Sequence, residues 1–234
     1  MRLVHTSDLH LYATRSFDDD LAMVRTLGAT VRDLGADLLA IAGDLFDHNR
    51  VPHSGANRLM EALVEPGIPV VVLPGNHDPL TAGSVYRHLA SQPGLFVLGL
   101  HGAALPVGEA WTITGRAHMD YGDFAPLEPA GATDAAGENC ERIVLAHGHF
   151  DLAGDARAVH RPGWLFTDED LDRTAAGYIG LGHWDRAYVV RPAGPPAYYS
   201  GSPWYAGSVN VVDLEPGRPA RVARVPLRDT GRSR

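Results

Sequence analysis

Five short apolar runs punctuate the chain, at residues 3–6, 38–42, 70–73, 143–146 and 178–181, and each ends in a loop that carries a histidine or an acid. Near-continuous apolar runs of this length predict strands buried on both faces. Between the first runs a helical period takes over. Leu21, Val24, Leu27, Val31 and Leu34 share one helical stripe, with Ser16 and Asp19 in a capping-box pattern before it and Gly35 as a stop behind it. A second stripe, Ala56, Leu59, Met60, Leu63 and Val64, closes at Pro66-Gly67. Both stripes predict core faces rather than partner-binding helices. Strand and helix signals alternate to about residue 100; mainly strand-like runs follow, including 209–214 and 220–225, and there is no internal repeat. Residues 120–140, rich in Ala, Gly and Pro, predict a loop or insertion. At 234 residues the chain can bury one substantial core, so the expectation is a single α/β domain over residues 1–234.

The loops after the runs carry the chemistry. They read Asp8-Leu9-His10, Gly43-Asp44, Gly75-Asn76-His77-Asp78 and Gly182-His183-Trp184-Asp185, with His147 directly after the fourth run. Ligands of open α/β sheets gather outside the carboxyl ends of the strands. Hard divalent ions take carboxylate and amide oxygens, and borderline ions also accept imidazole. Any one of these acids alone would more simply cap a helix or shape a turn. Five ordered loops with glycines at 43, 75 and 182, where backbone must turn sharply or approach an ion, point instead to one two-metal site.

Taken in order, the motifs resemble those of the calcineurin-like metallophosphoesterases: Asp-x-His, Gly-Asp-x-x-Asp, Gly-Asn-His-Asp/Glu, a His after a strand, and Gly-His-x-His. The resemblance runs from residue 8 to about 205. It implies two mixed β-sheets sandwiched and flanked by helices, a four-layer fold. It also implies that Asp8, His10 and Asp44 hold a first metal, with Asp185 in the fourth place. Asp44 would bridge to a second metal completed by Asn76, His147 and His183, while His77 would sit beside the substrate phosphate with its ring oriented by Asp47. The implied cofactors are two divalent ions, manganese foremost, with iron, zinc and magnesium as alternatives. Asp185 departs from the pattern, where the family usually has His, and a carboxylate there makes the site harder and more anionic.

The implied activity is metal-dependent hydrolysis of a phosphodiester, in a small molecule or in nucleic acid; the contrasting class is a catalytically quiet scaffold on the same fold. Gly43-Asp44-Leu45-Phe46-Asp47, the segment 67–78 and Tyr199-Ser200-Gly201-Ser202-Pro203 are similar to the DNA-repair exonuclease branch, which includes the nuclease subunit of the bacterial SbcCD complex. That branch implies a partner ATPase subunit and chains that extend further than this one.

Charge pulls the other way. The 20 basic residues, all arginine, face 28 acidic ones for a net −8, whereas nucleic-acid binders usually display a basic surface. Arg218, Arg221, Arg224, Arg228, Arg232 and Arg234 cluster near the C-terminus and read as a solvated basic tail. His149 reads as a rim residue, His48, His53 and His118 as solvated loop histidines, and Arg116 as an ion-pair partner. The single cysteine, Cys140, cannot form an internal disulfide, and no apolar stretch reaches membrane-spanning length. A cytoplasmic protein without membrane association is the expectation.

Overall fold

The computed structural model describes residues 1–122, 124–128, 140–152 and 164–227. In chain order the elements are β1 (Arg2–Thr6), α1 (Phe17–Asp33), β2 (Leu38–Ala42), α2 (His53–Val64), β3 (Val70–Leu73), α3 (Val85–His88), β4 (Leu95–Val97), β5 (Ala104–Val107), β6 (Trp111–Gly115), β7 (Glu141–His147), β8 (His149–Phe150), β9 (Leu165–Phe166), α4 (Asp168–Arg173), β10 (Tyr178–Gly182), β11 (Tyr188–Arg191), β12 (Ala197–Tyr199), α5 (Pro203–Ala206), β13 (Ser208–Asp213) and β14 (Arg221–Pro226). All five apolar runs are strands, and both helical stripes are helices. Most of the predicted insertion, residues 123 and 129–139, and the last basic residues, Arg228, Arg232 and Arg234, lie outside the described residues.

The strands form two six-stranded mixed sheets, ordered β14-β13-β1-β2-β3-β4 and β11-β12-β10-β7-β6-β5. Within the first, β1 to β4 run parallel, and β13 pairs antiparallel with both β1 and β14. In the second, β6, β7, β10 and β12 are parallel and the edge strands β5 and β11 antiparallel. Side chains alternate faces along a strand, and this sorts the core into layers. Val4, Leu39, Ile41, Val70 and Val72 pack under α1 and α2. Leu3, Leu38, Ala40, Ala42, Val71 and Leu73 face Ile143, Leu145 and Tyr178 between the sheets. Val144, Ala146, Ile179 and Leu181 pack outward on Phe150, Phe166 and Leu171. The order is helix, sheet, sheet, helix, the four layers expected from the sequence. No helix among the described residues is long and apolar enough to cross a membrane.

Helix α1 begins where its sequence predicts. The Ser16 hydroxyl accepts from the Asp19 amide at 3.1 Å, and Asp18, Asp19 and Asp20 occupy the first turn, where the helix dipole favours negative charge. Buried Asp20 reaches back to accept from the Tyr12 amide at 2.7 Å, tying the loop after β1 to the helix.

Polar side chains also sit between the sheets. His5 is fully buried on β1, 2.9 Å from the Tyr178 hydroxyl and packed against Gly180 across the sandwich. Burial lowers its pKa to about 3. At this residue the unfolded chain, whose histidines titrate near 6.5, binds more protons than the folded one between about pH 6.5 and 3, so the contribution of His5 to stability falls as pH drops through that window. Urea unfolding of the wild type and of His5→Asn from pH 7 to pH 4.5 reads this contribution as the difference between their pH slopes. His5→Asn, less stable overall by about 1–3 kcal/mol, should show a shallower pH slope; an unchanged slope would remove His5 as a source of acid lability.

Candidate metal centre

The carboxyl ends of β1, β2, β3, β7 and β10 meet on one rim. The loops after β1 and β2 zip together beyond the sheet: the Asp8 amide donates to Gly43 O and the His10 amide to Asp44 O, both at 3.0 Å. Four residues here hold left-handed backbone, Asp8 (φ 55°), His10 (45°), Asp44 (52°) and His183 (101°). Non-glycine residues adopt this conformation only when their surroundings enforce it, and such residues concentrate at functional sites.

Asp44 is the shared member of two ligand groups, His10–Asp44–His77 and Asp8–Asp44–His147, in each of which the potential ligand atoms lie within 4.8 Å of one another. Its Oδ1 accepts from the His77 amide at 2.9 Å, and its Oδ2 lies 3.2 Å from His147 Nε2 and 3.8 Å from His10 Nε2. Asn76 Oδ1 lies 2.9 Å from the same His147 Nε2 and 3.1 Å from His183 Nδ1. Asp8 receives the His183 amide on both carboxylate oxygens, at 3.1 and 3.0 Å. His147 Nδ1 donates to Ala42 O at 2.9 Å, which fixes the ring and directs Nε2 at Asp44 and Asn76.

The electrostatics suit a cation. Burial would raise the Asp44 pKa, but the histidines around it, His147 first, hold it below the usual carboxylate range. Burial likewise opposes charge on His147, yet Asp44 and Asp8 raise its pKa to about 9. Asp8, buried beside Asp44, is pushed up to about 7, with His147 opposing the rise. Two carboxylates, an amide oxygen and imidazole nitrogens around one buried space form a donor set that fits divalent transition ions.

Beside this cluster His77 is exposed. Its Nδ1 is 3.0 Å from the Asp47 carbonyl and 3.6 Å from the Asp47 carboxylate, so the main chain of Asp47 does most to orient it. The Asp47 carboxylate lies nearer His10, at 3.2 Å from Nδ1. Asp185 stands apart: it is exposed, belongs to neither ligand group, and uses its carbonyl to accept from the Ser202 amide.

Several supports were not legible in the sequence. Asp78, given no role of its own in the motif, is buried and accepts from the Phe46 and Gly75 amides and from the Tyr86 hydroxyl at 2.5 Å. It clamps the Asp44 loop to the Asn76 loop. Burial pushes its pKa up to about 6. His118, expected to be a solvated loop histidine, is fully buried: it lies edge-on to Phe124 and Trp164 and 3.0 Å from His147 O, and burial lowers its pKa to about 4. His53 is the first residue of α2 and stacks on His88 at 3.8 Å. Arg116 does pair with Glu128, at 3.4 Å. His149 accepts the Trp184 indole N–H at 2.9 Å, and Trp184 stacks on Tyr199 at 4.3 Å, a wall behind His183.

The sequence profile of the calcineurin-like phosphoesterases matches residues 1–217. The chain belongs to this family. Its members are hydrolases of phosphoesters that use divalent metals, and the ligand groups above supply donors for such ions. This phosphoesterase is 28% identical to the D component of nuclease SbcCD from Bacillus subtilis strain 168, over 94% of this chain and 68% of that one. It is 27% identical to the uncharacterized metallophosphoesterase YhaO of the same organism, over 86% of this chain and 53% of that one. A 35% identical stretch shared with the D component of nuclease SbcCD from Escherichia coli K12 covers 33% of this chain and 21% of the relative. The chain thus spans from about a fifth to about two thirds of these relatives. Among solved structures, TT1561 of Thermus thermophilus superposes with a TM-score of 0.65 at 14% identity, covering 97% of this chain and 99% of that one. A putative 5'-nucleotidase from Staphylococcus aureus gives 0.61 at 15% identity, covering 98% and 55%. Both likenesses concern the fold.

Gly75 gives a direct test of the shared carboxylate. A Cβ built there would overlap the Asp44 carboxylate, although the Gly75 backbone is not left-handed. Gly75→Ala should retain native secondary structure by circular dichroism, lose about 1–3 kcal/mol of stability, and bind less manganese by elemental analysis. Full metal content in the variant would show that Asp44 is not needed where it stands.

Proposed function

We propose that this phosphoesterase is a phosphodiesterase working with two divalent ions, manganese foremost. The observation that carries the reading is the position of Asp44, a buried carboxylate common to two ligand groups. On this reading Asp8, His10 and Asp44 hold one ion, and Asp44, Asn76, His147 and His183 the other. Asp185, exposed in the structure, would reach the first ion only by turning its carboxylate inward. Bound in pairs, such ions lower the pKa of a water and neutralise charge on the non-bridging phosphoryl oxygens.

The chain's own residues would do the rest. His77, exposed at the mouth, stands where it can donate a proton or a hydrogen bond to the leaving oxygen, with its ring held by Asp47. His10 packs edge-on against the His77 ring at 4.7 Å and limits its rotation. Trp164 and His149 lie edge-on to the His183 ring and shield it from water. A nuclease activity is supported by the likeness to the D component of nuclease SbcCD, and a partner ATPase subunit is part of that same proposal.

Metal-stripped protein refilled with manganese should hydrolyse bis-p-nitrophenyl phosphate faster than p-nitrophenyl phosphate, and His77→Ala should lower kcat by about 10²- to 10⁴-fold. No turnover of either ester or of linear DNA, with ions bound, would move the chain to the scaffold class.

Metal uptake should itself depend on pH. His147 must lose its proton to offer Nε2, and its pKa is raised to about 9; Asp8 must ionise, and its pKa is raised to about 7. Ion binding at pH 7 should therefore release protons, and apparent affinity should climb from pH 6 towards pH 9. Calorimetry in buffers of different ionisation enthalpy reads the release directly. An affinity independent of pH would place the ions away from His147.

A further inference from the structure

A recess of about 450 Å³ opens beside the metal-facing rim, between the loop after β10 and the β13–β14 hairpin. Arg186, Ser208 and Arg224 supply its polar walls, and Ala206, Gly207 and Pro226 its apolar ones; among the described residues no acidic one lines it. We infer that this recess binds a second phosphate of a single-stranded polynucleotide whose scissile phosphate lies over the metal centre, an inference that rests on the phosphodiesterase reading above.

The recess brings together two of the arginines that have no acidic partner among the described residues. The chain carries a net −8, and Arg2, Arg116, Arg173, Arg191, Arg218 and Arg221 all spend their charge on acidic partners. Arg186 and Arg224 make no ion pair among the described residues. Arg224 lies in β14, not in the solvated tail expected from the sequence, and is held in place: Nε donates to Ser208 Oγ at 2.8 Å and Nη2 to Ser200 O at 3.2 Å. Three of its five N–H donors remain for a ligand. A fixed guanidinium fork and a second, exposed one suit the oxygens of a phosphate.

Position ties the recess to the reaction. Arg186 follows His183 by three residues, so their Cα atoms are at most about 11 Å apart. Arg224 bonds to the main chain of Ser200, whose hydroxyl lies 2.9 Å from that of Ser7, the residue before Asp8. The loop that carries Arg186 is packed on the turn between β12 and α5, since a Cβ at Gly201 would crowd the backbone of residues 185–187. A strand lying over the metal centre would bring a neighbouring phosphate towards the recess. An ester with one phosphate has no second phosphate to place there.

The test separates strand binding from chemistry. Anisotropy of a fluorescein-labelled single-stranded thymidine oligonucleotide, titrated in EDTA over a range of NaCl concentrations, reads the recess without turnover. Arg186→Ala should weaken binding about tenfold at low salt and reduce the slope of log K against log salt by about 0.7, the value for one phosphate contact on a single strand. Arg186→Lys should keep the slope, and Arg224→Gln should repeat the loss of affinity. With manganese, Arg186→Ala should lower kcat/KM about tenfold on the oligonucleotide and leave it within about twofold on bis-p-nitrophenyl phosphate. The proposal is overturned if the wild-type protein does not bind the strand, if the variants bind as tightly as wild type, or if both substrates lose activity equally. Failure of the phosphodiesterase reading would show separately, as absence of wild-type turnover of bis-p-nitrophenyl phosphate.

Discussion

The structure depends on how closely two sheets approach at one end. A Cβ at Gly182 would overlap the carbonyl of Ala42, so β10 and β2 touch main chain to main chain where their loops begin. The His147 ring fits beside that contact because Gly43 also lacks a side chain, and it bonds back to Ala42 O. Donors from β1, β2 and β3 can then share one space with donors from β7 and β10. Were the sheets separated by an ordinary side-chain layer of about 10 Å, the two halves of the cluster would not meet.

Around that contact the molecule is built to hold loops rather than only to fill a core. Asp78 joins the loops after β2 and β3, Asp8 receives the amide that follows β10, and Trp184 with His149 joins the loop after β10 to β8. Each link is a buried or half-buried polar bond whose loss leaves a partner unsatisfied, so these bonds specify geometry more than they add stability. The residues that place the cluster are nearly as numerous as those within it.

How much of this was legible follows from the kind of signal each residue leaves. The strands were readable because four- and five-residue apolar runs have few alternatives, and α1 because its stripe, cap and stop agree. The loop motifs were readable because acids, amides and histidines directly after buried strands have a shared destination. His118 was not: it sits in a polar stretch, and only Phe124 and Trp164 folding over it make it a core residue. Nor was the Asp78–Tyr86 bond, whose partners are eight residues apart and joined through a four-residue helix without a periodic pattern. Arg224 fell both in the strand-like run 220–225 and in the basic cluster read as a solvated tail; the run forms β14, paired with β13, and takes Arg224 with it. Asp185 was assigned by its place in a motif, and motif position does not determine which way a side chain turns.

The left-handed backbone at Asp8, His10, Asp44 and His183 sets the folding interest of the chain against its chemistry. Each such residue costs about 1–2 kcal/mol relative to relaxed backbone, a strain glycine would not feel. Replacement of a donor by glycine at these positions would relieve the backbone while emptying the site. Mutational drift therefore has a downhill direction towards sturdier, inert descendants, and only selection on the chemistry opposes it.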